Sequence, residues 1–414
     1  MNIVIAGAGI GGLSAALALH ARGHRVSVCE AVAQLRPLGV GINLLPHAVA
    51  VLDELGLLPA LRAMAVETSA LVFANRHGQT IYRDARGLAG GYSHPQLSVH
   101  RGELQLLLWA QTAQRLGPDR LHLGRKLSGA RLAGEQVIAQ FQRPDGSLDE
   151  LACDLLIGAD GIHSALRRQF YPDEGPPRWN GMMMWRGTSL ARPFLDGRTM
   201  VQAGHRRAKF VVYPIAPPRA DGLQLINWIC DRRLREDGIG GGLTAPSRED
   251  WSKPGSLDDL LPTFGDWRFD WLDVPGLIRG ATQLLEWPMV DRDPLPRWRH
   301  GRITLLGDAA HPMYPIGSNG ATQAILDAQA IADALAESGG ERIEAALAAY
   351  EALRRPLCAK LVEMNRQEGL DAILDMVEER APQGFSRLDE VVDPAAIDAL
   401  VQRYKAAAGH RQQR

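Results

Sequence analysis

The sequence predicts an α/β fold in which a parallel, helix-flanked sheet is interrupted by an inserted, mostly antiparallel one. Three observations predict it. A glycine-rich turn, Gly7-x-Gly9-x-x-Gly12, stands between a short apolar run (Ile3 to Ala6) and an alanine- and leucine-rich stretch (Leu13 to Ala21). That is the strand–turn–helix order of a strand–helix–strand unit. Between about 178 and 285 the texture changes. Six of the nine tryptophans lie there, with strand-like runs KFVVYPI and LQLINWIC between Pro/Gly-rich loops, as in an antiparallel sheet. On either side, DLLIGA (154–159) and RITLL (302–306) read as buried strands of the first sheet.

The remaining elements follow in order. Arg25 to Glu30 (RVSVCE) is the second strand. Residues 70 to 95 fall into short alternating pieces, with a turn at His77-Gly78, and 98 to 115 return to a helical pattern. A helix is expected from about Gly320 to Glu337, and the chain beyond Arg342 is mostly helical. These readings divide the chain into a discontinuous nucleotide-binding domain (1–75, 96–177 and 286–338), a sheet domain (76–95 and 178–285) and a C-terminal helical region (339–414) packing across the two.

Composition excludes several function classes. Lysine plus arginine number 46 against 47 aspartate plus glutamate, a net charge of −1, which argues against a general nucleic-acid or anionic-membrane binder. No run reaches the ~18 apolar residues of a membrane span. The N-terminal apolar run lacks a basic leader and is broken by glycines, so it reads as a strand and not a signal peptide. Cys29, Cys153, Cys230 and Cys358 form no CxxC pair, so neither a disulfide framework nor a metal cluster is expected, and a reducing cytoplasmic setting fits.

The glycine motif carries the first chemistry. Its glycines let the backbone turn tightly and approach a pyrophosphate on the helix N-terminus, as in Rossmann-type units. Glu30, eighteen residues past Gly12, can accept hydrogen bonds from an adenosine ribose and disfavours a 2′-phosphate there. The motif alone does not separate NAD from FAD. Further on, Asp308 follows a buried strand, and the loop Pro315-Ile-Gly317-Ser-Asn-Gly320 lies directly before a helix. Such a loop presents backbone N–H groups and a helix dipole to an electron-rich ring. Asp308 can also be read as a plain helix cap, and Pro315 as an ordinary loop proline.

Two segments, DLLIGADGIHSALR (154–167) and TLLGDAAHPMYPIGSNGATQAILDA (304–328), with HRGELQ at 100–105, resemble the paired DG and GD motifs and the FAD-contacting arginine of the single-component FAD-dependent aromatic monooxygenases. The resemblance covers nearly the whole chain, weakening after about residue 370. It implies the p-hydroxybenzoate hydroxylase-like fold, FAD as cofactor, NADH or NADPH as co-substrate, and O₂ with a small aromatic substrate as partners, in a monomer or homodimer. It makes Gly7, Gly9, Gly12, Glu30, Arg101, Asp160, Asp308, Gly320 and Ala321 cofactor-binding. Pro315 and Gly317 become the loop at the flavin ring. Asp160 resembles a residue placed near the pyrophosphate, and His311 one that is mostly structural. RPLGVGIN (36–43), MWRG (184–187) and PMVDRDPLP (288–296) resemble members acting on phenazine carboxylates, which implies decarboxylative hydroxylation. An oxygenase that inactivates a drug, and a flavin oxidoreductase that inserts no oxygen, remain alternatives; whether substrate gains an oxygen atom separates them.

Substrate candidates come from the sheet domain: Met184, Trp185, Arg186 and Tyr213, with Trp228 beside them. Alternation sends Met184 and Arg186 to one face and Trp185 to the other. Aromatic residues in strands are more often core than substrate platforms, and for Arg186 an ion pair is the commoner fate than a carboxylate anchor. Asp291 and Arg292 read as fixing the junction between domains.

Overall fold

The computed structural model describes residues 1–238, 242–246, 253–339, 342–367 and 369–407. Parts of the glycine-rich stretch 231–256 and the last residues of the C-terminal region lie outside them.

The apolar strand Asn2–Ala6 is the centre of a six-stranded sheet. Arg25–Cys29 pairs with it on one side and Leu155–Gly158 on the other, both parallel. Ile303–Leu305 continues the sheet in parallel, and Arg299–His300 closes that edge antiparallel. Strands buried on both faces carry unbroken apolar runs, and here Ile3, Ile5, Val28 and Leu155 to Ile157 are all buried. The helices Ile10–Ala21, Arg101–Leu116 and Asn319–Glu337 flank this core.

The second sheet has seven strands, in the order Ala281–Asp291, Arg178–Ala191, Gln224–Arg233, Ala208–Pro214, Thr199–His205, Ala70–Ala74 and Thr80–Ala85. All neighbours are antiparallel except Thr199–His205 with Ala70–Ala74. This corrects the boundaries expected from sequence. Residues 70–74 and 286–291, assigned above to the nucleotide-binding domain, are hydrogen-bonded strands of this sheet, because ladder pairing overrides the change in local texture.

Alternation along these strands makes two unlike faces. One carries Trp185, Cys230, Phe210 and Ala203, with Trp228, Val212, Val201 and Val72 in the next row. The aromatic segment around Leu260, Phe264, Trp267 and Phe269 covers it. The other face carries Arg186, Asp231, Lys209, Tyr213 and Gln202 among Met184, Met200 and Leu71, and turns toward the first sheet's loops. There Gly41 N–H donates to Asn227 Oδ1 at 2.7 Å.

The long helix Ile343–Arg366 spans both halves. Its first turns pack Leu347 and Tyr350 into the parallel-sheet core, while Leu361 and Val362 join the cluster under Leu71, Phe73 and Met200. Helices Ala372–Arg380 and Pro394–Ala407 complete that cluster through Ile373, Val401 and Tyr404. No helix among the described residues is long and apolar enough to cross a membrane.

Candidate active site

The glycine turn is shaped by contacts a side chain would destroy. Gly7 has φ +109°, and a Cβ there would sit 2.2 Å from the Ala159 carbonyl oxygen; at Gly12 it would sit 2.1 Å from that of Gly7. Gly9, by contrast, has nothing within 4 Å, so its backbone faces open space. Glu30 closes the turn, accepting from Ala8 N–H at 2.8 Å and Val32 N–H at 3.0 Å. Asp160 accepts from Ala165 N–H at 2.7 Å through Oδ2, while its buried Oδ1 has no hydrogen-bond partner. Burial pushes its carboxyl above the ordinary range, against the hydrogen bonds from Ser164 and Ala165.

Across the cleft, Asp308 lies deep in the fold yet reaches open space, flanked by buried Gly307 and Ala309. Burial raises its carboxyl, and His311 and Arg101 pull it back down; Arg101 is in turn lowered by burial and supported by Asp308. The Asp308 turn is held from behind. Asp327 accepts from Gly307 N–H at 3.1 Å, His311 Nε2 at 2.6 Å and Arg354 Nε at 2.8 Å. Those two cations hold the Asp327 carboxyl at about 2, although burial opposes them. His311, Asp327 and Cys358 also cluster as metal ligands would, but Arg354 takes the remaining carboxylate oxygen, so the cluster is an ion-pair knot.

The loop before helix Asn319–Glu337 turns through two consecutive left-handed residues, Gly317 at φ +70° and Ser318 at φ +60°. A serine in that conformation carries strain of roughly 1–3 kcal/mol, which surrounding structure must offset. The support is Tyr404, whose Oη a Cβ on Gly317 would approach to 2.1 Å. Asn319 Nδ2 donates to that Oη at 3.2 Å, Tyr404 donates to Asn365 Oδ1 at 3.2 Å, and Asn365 Nδ2 donates to the Tyr314 carbonyl at 3.1 Å. Pro315 is exposed at the tip, and Gly320 faces open space. Ala321 follows in the first turn, beside Thr322, whose Oγ1 accepts from Leu45 N–H at 3.2 Å. Among the residues expected at the cofactor, the structure shows open space at Gly9 and Gly320, an unpartnered buried acceptor at Asp160 Oδ1, and a buried Arg101 whose charge acts on Asp308. That donor set fits a dinucleotide with a polar chain and an anionic ring, as FAD is.

The substrate candidates separate. Met184 and Arg186 lie on the cleft-facing side of the sheet. Met184 packs with Tyr314 and Ile316 of the loop. Burial lowers the Arg186 guanidinium to about 10, against Tyr213 and Asp231, which leaves it charged at neutral pH. Trp185 lies on the opposite face from Met184 and Arg186, in the aromatic cluster beside Leu284 and Gly255. Trp228 shares that face. Asp291 accepts from Arg366 Nε and Nη2, each at 2.8 Å, and Arg292 donates to the Ile162 carbonyl at 3.1 Å and to Glu174 at 3.1 Å.

Two openings flank Ile316. One, partly open to solvent, is lined by Gly317 and Ser318 of the loop and by Leu71, Met200, Gln202, Gln96 and Arg86. The other takes in Met182, Lys209, Arg233 and Arg366; Asp371 borders both. Neither Arg186 nor Tyr213 lines either opening. Gln96, Gln202, Asn365 and Tyr404 carried no signal in the sequence.

The comparisons with known proteins agree with this geometry. The FAD binding domain family matches residues 1–231 and 281–365. The chain is 46% identical over 410 residues to the phenazine 1,6-dicarboxylic acid hydroxylase PhzS of Lysobacter antibioticus, covering 98% of this chain and 96% of that one. It is 32% identical to 3-amino-4-hydroxybenzoate 2-monooxygenase of Streptomyces cremeus, over 89% of this chain and 86% of the relative. Among solved structures, a variant of Klebsiella pneumoniae HpxO complexed with FAD superposes with a TM-score of 0.74 at 25% identity, covering 99% of this chain and 97% of the other. A salicylate hydroxylase substrate complex shares the fold with a TM-score of 0.74 at 22% identity, covering 100% and 96%. With the cleft and these likenesses together, the chain belongs to the FAD-dependent aromatic monooxygenases, as a flavin-dependent monooxygenase of p-hydroxybenzoate hydroxylase-like fold.

Proposed function

We propose that this monooxygenase takes electrons from NADH or NADPH and inserts one atom of O₂ into a phenazine carboxylate, the second atom leaving as water and the carboxyl group as CO₂. The observation that carries the reading is the 46% identity, over nearly the full length of both chains, to a phenazine dicarboxylic acid hydroxylase. An opening beside the 315–320 loop, with Leu45, Leu71 and Met200 next to Arg86 and Lys405 in its lining, supports it.

Bound FAD would supply the redox and oxygen chemistry. Gly7, Gly9, Gly12 and Glu30 would hold its adenosine half, and Arg101, Asp160 and Asp308 its pyrophosphate and polar chain. The Pro315–Ala321 loop would offer N–H groups and a helix N-terminus to the ring, stabilising negative charge there. Met184 and Ile316 keep water from that side, and Arg186 places a fixed positive charge nearby. The same reading puts the enzyme in a reducing, cytoplasmic setting, supported by four free, buried cysteines, as a monomer or homodimer.

The test is aerobic NADH and NADPH consumption by the FAD-loaded enzyme with phenazine-1-carboxylate, with peroxide and product mass measured. Faster oxidation, little peroxide and a hydroxylated product that has lost its carboxyl group are expected. A product that keeps the carboxyl would refute the decarboxylation, and peroxide without product would refute the phenazine assignment.

A further inference from the structure

We infer that Tyr404, on the helix Pro394–Ala407, is a positioning residue for the loop 314–319, its hydroxyl fixing which way the loop presents its backbone N–H groups. The consequence for the flavin rests on the reading above that places this loop at its ring. Tyr404 lies outside the segments matched by the FAD binding domain family. Ile397, Val401 and Tyr404 are the buried stripe of a helix whose other residues are mostly exposed, the spacing of a helix docked by one face. Lys405 secures the same end, its Nζ 2.6 Å from Asp84 Oδ1.

The tyrosine enters between two glycines from different parts of the chain. A Cβ on Gly317 would lie 2.1 Å from its Oη and one on Gly369 would lie 3.1 Å from its ring, and both glycines have positive φ. Only glycine lets backbone approach so closely on either side. A tyrosine hydroxyl both donates and accepts, and here it does each once. It accepts from Asn319 Nδ2 and donates to Asn365 Oδ1, both at 3.2 Å. The two amides in turn hold loop carbonyls: Asn365 Nδ2 donates to that of Tyr314 at 3.1 Å, and Asn319 Nδ2 to that of Ile316 at 3.4 Å. All three side chains are buried, so losing the hydroxyl leaves both amides short of a partner. Among the described residues every peptide bond is trans, and a trans peptide points its C=O and N–H in opposite directions. Holding the Ile316 carbonyl on the asparagine side therefore aims the Gly317 N–H away from it. The left-handed pair Gly317 and Ser318 then leads into the helix Asn319–Glu337.

The experiment compares Tyr404→Phe with Ile397→Ala, which weakens the same helix two turns away from the hydroxyl. A cooperative melting transition establishes that each variant is folded. Amide hydrogen exchange of the apoenzyme, followed by mass spectrometry, reads the loop directly. Tyr404→Phe should speed exchange in the peptide spanning 314–321 by about tenfold, the loss of one buried hydrogen bond. Ile397→Ala should lower the melting temperature and leave that peptide nearly unchanged. In the FAD-loaded enzyme, Tyr404→Phe should lower the flavin midpoint potential by about 30 mV, a tenfold change in the equilibrium constant of a two-electron couple, because the reduced, anionic ring loses an aligned donor. Ile397→Ala should leave the potential in place. Should Tyr404→Phe fail to fold, Asn365→Ala removes the same bridge from its other end. Unchanged exchange in the folded variant, or equal loosening by both substitutions, overturns the role of the hydroxyl. Faster exchange with an unchanged potential supports that role and overturns the placement of the loop at the flavin ring.

Discussion

The two faces of the seven-stranded sheet share every backbone hydrogen bond and almost nothing else. Trp185 and Arg186 are neighbours in sequence, as are Trp228 with Asn227 and Phe210 with Lys209, yet each pair sends one residue to each face. The face under Phe264 and Trp267 is built from tryptophan, phenylalanine and valine, and Trp228, its largest fully buried side chain, is satisfied by a single 3.0 Å bond to Ser189 Oγ. The opposite face buries Arg186, Lys209, Asp231 and Gln202. Burying charge and amide groups stabilises little and often costs stability, whereas burying aromatic area stabilises strongly. One face therefore holds the domain together, and the second carries the buried polar groups.

The largest effect on stability should come from the apolar face. Trp228→Ala should cost about 3–5 kcal/mol in a urea titration, through lost burial and the cavity left behind. A loss below about 1 kcal/mol would mean this face is not what holds the sheet. Next comes Lys209→Met on the polar face, which leaves Asp231 and Asp371 buried without their cation and should cost about 3 kcal/mol near pH 8. Its pH dependence has a definite sign. Burial already holds the Asp231 carboxyl above its unfolded value, outweighing the pull of Lys209. A carboxyl raised in the folded state favours folding at low pH, and its ionisation costs stability as pH rises through the folded value. Removing Lys209 raises it further, so the deficit of the variant should shrink from pH 8 toward pH 5. A deficit independent of pH would show that Lys209 matters for packing rather than charge.

The same alternation explains what the sequence revealed. Gly7, Gly12 and Asp308 were legible because their chemistry is local: a turn that excludes side chains, or an acid at a strand end, leaves its mark within a few residues. The face of Trp185 followed from a period of two. The opening beside Gly317 was not legible. Gln96 and Gln202 meet across the fold, and Tyr404 reaches Gly317 from a helix near the end of the described chain. Each is an ordinary residue in an ordinary segment, and only tertiary contact gives it a role. The boundaries at 70–74 and 286–291 were missed for the same reason, since strand pairing is a long-range property.

The smallest effect tests the comparison most sharply, because it compares adjacent residues of one strand. Val201 faces the apolar cluster and Gln202 the opening beside Gly317. Val201→Ala should destabilise by about 1–3 kcal/mol, the loss of two buried carbons and the space they filled. Gln202→Leu should leave stability within about 1 kcal/mol of wild type, and on the stabilising side, since it removes an orphaned amide oxygen and adds apolar contact to Leu71 and Met200. If both substitutions destabilise equally, Gln202 is a structural residue whose amide is satisfied by water, and the polar face is no reserve for a ligand. If the leucine stabilises while binding of the aromatic acid weakens, stability and recognition have been assigned to opposite faces of the same strand, one residue apart.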